Sequence, residues 1–280
     1  MYLDLEDYKR PATVEQCIDL LGGKGSSAIA GGTYLNVRDH ERVARLVDLQ
    51  ALPLRGIERV GDAVKVGALV TLSELVDAAG ELGPGLGALV EAARGERNLC
   101  TRNRSTVGGR LGRRRGDARV ATALAALDAK LELLAADGTR THVGVTEYLT
   151  AAAAPHLVLG VSLRADTRAS RYASFAPTVM ESPVADAALA IAADGTWRLA
   201  SGGHGPHGRG VVVLAKASAL AGDAHADDWR ARFDAAALDE LPSFADDRGS
   251  AEYRRDLSVT LAARLVAAAS NGATPSGGAR

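Results

Sequence analysis

Two glycine pairs, Ala30-Gly31-Gly32-Thr33 and Thr106-Val107-Gly108-Gly109, are the residues of this chain best suited to binding chemistry. A glycine lacks Cβ, so backbone there can come close to a ligand, and a neighbouring helix start offers unpaired N–H groups to an anion. The first pair follows the strand-like run Ser27-Ala28-Ile29-Ala30 and leads toward a helix; the second precedes a helix-like segment from Asp117 to Leu127. Taken singly, each pair reads equally well as a tight turn. Together, each beside a helix start, they predict a split site for a diphosphate-bearing cofactor.

The second pair runs into Arg110 and Arg113-Arg114-Arg115. Three readings of these arginines stand side by side. They form a solvated surface run, they add positive charge to a phosphate site, or they reshape the site for another anion or for a partner protein's acidic surface. A nucleic-acid patch is disfavoured, because the run is short and lacks interleaved aromatics.

Other polar residues carry less. The two cysteines, Cys17 and Cys100, make no CxxC motif, so neither an iron–sulfur cluster nor a structural zinc is expected in this chain. Cys17 is in phase with Val14, Ile18 and Leu21 and reads as core; Cys100 is expected to be packed as well. His204 and His207 flank Gly205-Pro206 and read as a turn. Asp246-Asp247 and Glu252 read as an acidic cluster at a helix start. No Ser/His/Asp or Cys/His nucleophilic arrangement stands out, so catalytic residues are left unassigned.

The elements that must position the glycine pairs follow from turn and capping signals. Thr13 to Gln16 has the spacing of a capping box, and the helix it opens stops near Leu21 before Gly22-Gly23. Strands are expected at Ser27–Ala30 and Leu46–Leu49, parallel because a helical segment separates them. Gly61-Asp62 joins two alternating runs into a hairpin, and Thr71 to Glu74 forms a second capping box. A helix covers Gly85 to Arg94, and a further hairpin turns at Asp137-Gly138. His156 to Leu163 is a strand. Three more strands follow, at 171–175, 187–192 and 197–201, and then helices at 211–220, 226–236 and 251–269. In the last helix, Tyr253, Leu257, Leu261 and Leu265 recur every fourth residue and predict one buried stripe. The tail, 271–280, is Gly/Ser/Pro-rich and expected to be disordered. The class is α+β, with units expected at 1–52, 53–163 and 164–270.

The chain has 280 residues, 47% of them apolar and 4% aromatic, with a net charge of −1. That supports a sizeable core and argues against a globally basic nucleic-acid binder. Met1 to Arg10 lacks an apolar signal core, and no apolar run approaches the ~18 residues of a membrane span. A cytoplasmic protein without membrane contact is expected.

Several runs resemble the flavoprotein (medium) subunit of molybdenum-containing hydroxylases, the family of carbon monoxide dehydrogenase flavoproteins and xanthine dehydrogenase flavin domains. They are Asp7-Tyr8-Lys9-Arg10-Pro11-Ala12-Thr13, Ala30-Gly31-Gly32-Thr33, Leu46-Val47-Asp48-Leu49, Arg102-Asn103, Thr106-Val107-Gly108-Gly109 and Ala125 to Ala129. Asp247 to Arg255 extends the similarity to the last helix. The resemblance implies a small βαβ-like subdomain and a larger antiparallel-sheet subdomain that clasp FAD, followed by a C-terminal domain of a short sheet and helices. It implies an iron–sulfur subunit and a molybdopterin-binding subunit as partners, and an acceptor such as NAD or oxygen. In this setting the amides of Gly31, Gly32, Thr33 and Tyr34, next to Ala30, would cradle the FAD pyrophosphate, with the Thr33 hydroxyl as a further donor. Gly108 and Gly109 would bring the second subdomain to the same ligand, with Thr106 hydrogen-bonding nearby.

The chain departs from that pattern at the second pair. The family pattern has Asn where Arg110 stands, and Pro and Asp where Gly116 and Arg119 stand; the nearest acid is Asp117. A family lysine is replaced by the Phe175-Ala176-Pro177 stretch. Arginine only donates, whereas asparagine also accepts. These departures leave two other readings beside the electron-transfer subunit: a stand-alone flavoenzyme of the same fold, and a non-catalytic paralogue with a degenerate FAD site.

Overall fold

Three sheets, laid down in chain order, organise the molecule. The structure is a computed structural model that describes residues 5–34, 43–112, 114, 119–151, 156–178, 180–205 and 210–271. The first sheet is parallel, with strands β1 (Asp7–Lys9), β2 (Ser26–Ile29) and β3 (Arg45–Asp48) in the order β1-β3-β2. Helix α1 (Val14–Leu21) connects β1 to β2. Its cap Thr13 accepts from the Gln16 amide, and Gly22 ends it. The connection from β2 to β3 includes residues 35–42, which lie outside the described residues.

The second sheet is antiparallel, with β4 (Ile57–Val60), β5 (Ala63–Gly67), β6 (Lys130–Ala135), β7 (Arg140–Gly144) and β8 (His156–Arg164) in the order β4-β5-β8-β6-β7. Seven helices belong to this stretch: α2 (Leu72–Asp77), α3 (Ala79–Leu82), α4 (Gly87–Arg94), α5 (Leu99–Arg104), α6 (Val107–Gly112), α7 (Arg119–Ala126) and α8 (Val145–Thr150). The expected capping box is present at α2, where the Thr71 hydroxyl accepts from the Glu74 amide and Glu74 reaches back to the Thr71 amide. An apolar seam joins the first two sheets. Val14, Cys17, Ile18, Val47 and Leu49 pack against Leu69, Leu134, Leu157 and Leu159.

The third sheet is antiparallel, with β9 (Ala169–Phe175), β10 (Ala185–Ile191), β11 (Trp197–Gly202) and β12 (Val212–Val213) in the order β12-β11-β10-β9. Helices α9 (Ala215–Leu220), α10 (Trp229–Glu240) and α11 (Ala251–Ser270) follow. Alternate residues of β10 point to opposite faces, as a strand requires. Ala185, Ala187 and Leu189 join the core of α9–α11, while Ala188 and Ala190 join the core containing α7. Covered on both faces, β10 is apolar at every position except the buried Asp186, rather than alternating apolar with polar.

Three local expectations are corrected. The predicted stripe on α11 holds at Leu261 and Leu265 and partly at Leu257 but fails at Tyr253, which is 43% exposed; the buried face also takes in Arg254, Ser258 and Ala262. Cys100 is exposed on α5, whereas Cys17 is fully buried, as expected. Of the predicted acidic cluster, Glu252 lies in the first turn of α11 as expected, whereas Asp246 is an ion-pair partner. Its carboxylate pairs with the buried Arg254 and the nearby Arg248. The tail beyond Asn271 lies outside the described residues.

Candidate functional site

A cleft of about 810 Å³ opens at the seam between the first and second sheets. Its floor is the C-terminal end of β2, its far wall is α6 and β8, and both glycine pairs line it. Ala30, Gly31, Gly32, Thr33 and Tyr34 border it on one side, and Thr106, Gly108, Gly109 and Arg110 on the other. The sequence-predicted residues therefore meet, apart from Asp117, which lies outside the described residues. The volume suits a small-molecule or cofactor site, which spans roughly 300–1,000 Å³. Among the described residues lining the cleft there is no carboxylate; its ionisable side chains are Arg110, His156, Tyr34 and Tyr148. Such a lining favours an anion.

The two glycine pairs do different work. Gly32 takes a left-handed conformation, φ +69°, which glycine adopts without strain. Among the described residues no acceptor engages the amides of Gly31, Gly32 and Thr33. Three successive amides at a turn facing a cleft make an anion-binding concavity. Gly31 is also a packing residue. A Cβ there would lie 1.6 Å from the Arg104 carbonyl oxygen, and Arg104 Nε donates to the Gly31 carbonyl at 2.9 Å.

At the second pair the reading is corrected. Gly108 and Gly109 do not lie in a loop before the 119–126 helix; they form the first turn of a helix of their own, α6. The amides there are already occupied. Val107 donates to the Val70 carbonyl, Gly108 to the Ala68 carbonyl, Gly109 to Thr106 Oγ1 and Arg110 to the Thr106 carbonyl, at 2.8–3.0 Å. Thr106 thus caps α6. Gly108 is a glycine because a Cβ would come within 2.7 Å of the Ala68 side chain. This half of the cleft supplies a close, small-residue wall rather than donors.

Arg110 is not a solvated arginine. It is 17% exposed, and its Nη2 reaches Glu96 at 2.5 Å and the Ser105 hydroxyl at 3.0 Å. Ser105 Oγ in turn lies 3.2 Å from Thr33 Oγ1. A chain of polar contacts therefore runs from Glu96 through Arg110 and Ser105 to the first glycine loop. The Thr33 hydroxyl, expected to point at the ligand, is engaged with Ser105. Arg114 donates to the Ala151 carbonyl and lies 4.5 Å from the Tyr148 ring centre. Arg113 and Arg115 lie outside the described residues.

Sequence reasoning missed Ser105, Tyr148 and His156. Tyr148 and His156 both border the cleft, and Tyr148 Oη lies 3.0 Å from His156 Nε2. Burial raises the Tyr148 pKa, which keeps the phenol protonated as a donor. The sequence marks His156 only as the start of a strand; nothing local ties it to Tyr148, eight residues earlier across α8 and the loop that follows it. His204 is 3% exposed, with Nε2 2.8 Å from Ser201 Oγ and 3.0 Å from Ser258 Oγ, whereas Pro206 and His207 of the expected turn lie outside the described residues. His204 is a buried network residue, remote from the cleft.

Residues 3–163 match the family model described as the FAD binding domain in molybdopterin dehydrogenase. The chain belongs to this family. FAD is therefore its cofactor, and the resemblance to flavoprotein subunits of molybdenum hydroxylases stands. The nicotine 6-hydroxylase medium subunit of Paenarthrobacter nicotinovorans is 29% identical over 92% of this chain and 95% of its own length. The carbon monoxide dehydrogenase medium chain of Hydrogenophaga pseudoflava is 35% identical over 37% of this chain and 38% of its own. A solved carbon monoxide dehydrogenase from Hydrogenophaga pseudoflava superposes with a TM-score of 0.86 at 22% identity, covering 98% of this chain and 100% of that one. Quinoline 2-oxidoreductase from Pseudomonas putida 86 gives 0.81 at 21% identity, covering 98% and 99%. These likenesses fix the fold as α+β of the flavoprotein-subunit type. No described helix is long and apolar enough to cross a membrane.

The residues present fit FAD. A diphosphate needs several donors and no opposing carboxylate; among the described residues the amides at Gly31–Thr33 are unengaged and no carboxylate lines the cleft.

Proposed function

We propose that this chain is the FAD-holding subunit of a molybdenum hydroxylase-type oxidoreductase. It takes electrons from the iron–sulfur clusters of a partner subunit and passes them to an acceptor such as NAD or oxygen. Its relatives carry the names of medium subunits, and the chain spans nearly the full length of one of them. The observation that carries the reading is the row of unengaged amides at Gly31, Gly32 and Thr33 on a cleft that no carboxylate lines among the described residues.

In this reading the amides of Gly31, Gly32 and Thr33 hold the diphosphate, beside Ala30 and Tyr34. Thr106 fixes the start of α6, so that Gly108 and Gly109 present a close wall. Arg110 positions Ser105, and through it Thr33, by its contacts with Glu96 and Ser105. With units taken at 1–52, 53–163 and 164–270, this site falls between the first two. FAD, when bound, supplies the hydride and single-electron chemistry, and the protein supplies position and electrostatics.

The test is a flavin titration followed by reduction. Full-length protein incubated with FAD and desalted is expected to keep one flavin per chain, yellow in the visible spectrum. The bound flavin is expected to be reduced by a chemically reduced iron–sulfur partner subunit and reoxidised by NAD or oxygen. A colourless protein after desalting would overturn the cofactor site, and flavin that bleaches with dithionite but not with the partner would overturn the electron-transfer role.

A further inference from the structure

Nine arginines and two carboxylates lie between Arg94 and Arg119, whereas the rest of the chain carries 24 basic and 32 acidic residues. A chain that is slightly acidic as a whole thus concentrates positive charge in one stretch, α4 to the start of α7. Neutralisation inside the fold is slight. Of the seven arginines described there, only Arg110 has a carboxylate of a described residue within salt-bridge distance. Arg94 and Arg97 are exposed and make no hydrogen bond or salt bridge to an acid among the described residues, although the charge of Arg94 acts on the nearby Glu91. Among the described residues, Arg102, Arg104, Arg114 and Arg119 hydrogen-bond to backbone carbonyls; Arg114 also lies over the Tyr148 ring, and the charge of Arg119 acts on the buried Asp186. Elsewhere most arginines do pair, as Arg45 does with Asp7, Arg164 with Asp166 and Arg230 with Asp234.

Exposed apolar side chains lie within or beside this stretch. Leu99 on α5 is 55% exposed, and Met180 is 61% exposed beside a shallow hollow shared with Arg97, Arg110 and Arg119. Arginine and methionine around exposed apolar points are the composition of a protein–protein contact. No aromatic residue lies between Arg94 and Arg119, so the stretch lacks the stacking platforms of a single-strand nucleic-acid site. The face also borders the flavin cleft: Arg110 lines it, and Arg104 touches Gly31.

We infer that this arginine face is a docking surface for an acidic redox protein, which exchanges electrons with the flavin in the adjoining cleft. The exchange moves electrons between the partner's redox centre and the flavin, one reduced as the other is oxidised; the arginines supply orientation and attraction. The electron-exchange part rests on the function proposed above, whereas docking of an acidic partner stands on the charge distribution alone.

The test uses the full chain with FAD and an acidic [2Fe–2S] ferredoxin as probe. Calorimetry reads ferredoxin binding, stopped-flow absorbance reads flavin reduction by reduced ferredoxin, and dithionite reduction serves as the control. Binding and reduction rate are expected to fall about tenfold between ~50 and ~500 mM salt. A similar fall is expected in the double variant Arg94→Glu/Arg97→Glu at low salt, with flavin content and dithionite reduction unchanged. The matched variant Arg59→Glu/Arg264→Glu, which alters exposed arginines elsewhere, is expected to behave as the wild type. Equal losses in both variants, or no salt dependence, would overturn the proposal. So would preferential, Arg94- and Arg97-dependent binding of RNA or of phosphatidylserine vesicles over ferredoxin. A chain that binds ferredoxin but no FAD would leave the surface standing and refute the flavin reading instead.

Discussion

At the scale of single residues, a glycine is explained by the atom its missing Cβ would strike. For Gly31 that atom is the Arg104 carbonyl oxygen, 1.6 Å away, so Gly31→Ala must push the first loop from α5. Steric insertions of this kind cost about 1–3 kcal/mol. The expected outcome is a loss of that order in urea unfolding without FAD, together with at least ~10-fold weaker FAD binding, because the amides at 31–33 move with the loop. Gly61 is the comparison. It has a positive φ, +58°, which Gly31 does not, and a Cβ there would meet open space in a hairpin turn. Gly61→Ala is expected to cost about 1–2 kcal/mol and leave FAD affinity unchanged. Equal FAD affinities in the two variants would show that the first loop does not position the cofactor. The glycine pairs were legible in the sequence as two halves of one cleft. What each amide does was not, because that depends on carbonyls contributed by Ala68 and Val70, far away in sequence.

At the scale of elements, hairpins and capped helices were legible because their signals are local: Gly61, Asp137-Gly138 and Thr71 with Glu74. Helices α5, α6 and α8 were missed because each is only six residues long and is held by tertiary contacts rather than by periodicity. The buried face of α11 was misjudged because it is partly polar. Arg254 is fully buried, donating to the Val184 carbonyl at 2.6 Å and the Gly203 carbonyl at 2.9 Å and pairing with Asp246. Arg254→Met would strand those acceptors. An expected cost of about 3–5 kcal/mol follows from breaking a buried pair, measurable by urea unfolding, and a loss below ~1 kcal/mol would refute the role.

The same layer carries two opposed titrations. Burial pushes His204 down to about 4, so the unfolded chain takes up its proton first, and this group's contribution to stability is lost as pH falls from 6.5 toward 4. Burial raises Asp186 to about 6, despite donors at Tyr172 and Thr122, so its contribution is lost as pH rises from about 4 to 6. The two slopes oppose each other between pH 4 and 6. Relative to the wild type, Asp186→Asn is expected to make stability fall more steeply on acidification through that window, and His204→Asn to make it fall less or rise. Denaturant midpoints across pH 4–7 check both signs; shifts of the same sign in the two variants would exclude the opposition.

At the scale of the whole molecule, the cleft lies where one apolar seam joins two sheets, and a ligand there contacts both sides. The seam is modest, built on Val14, Cys17, Ile18, Val47 and Leu49 against Leu69, Leu134, Leu157 and Leu159. The third sheet is tied more broadly, through α4 and α7 on one face and α11 on the other. Opening at the cleft is therefore expected to separate the first sheet from the second before the third is disturbed. FAD bound across the cleft opposes that opening, and at ~100 times its Kd it stabilises the bound state by about 2.7 kcal/mol. Hydrogen exchange with and without FAD should show slower exchange at residues 31–34 on one side of the cleft and along α1 and β3. Residues 107–110 should change less, because their amides already have partners. Exchange in α10 and α11 should stay the same. Protection confined to residues 31–34, with none in α1 or β3, would mean that FAD occupies the loop without holding the two sheets together. The cleft would then be a one-sided site rather than a clasp.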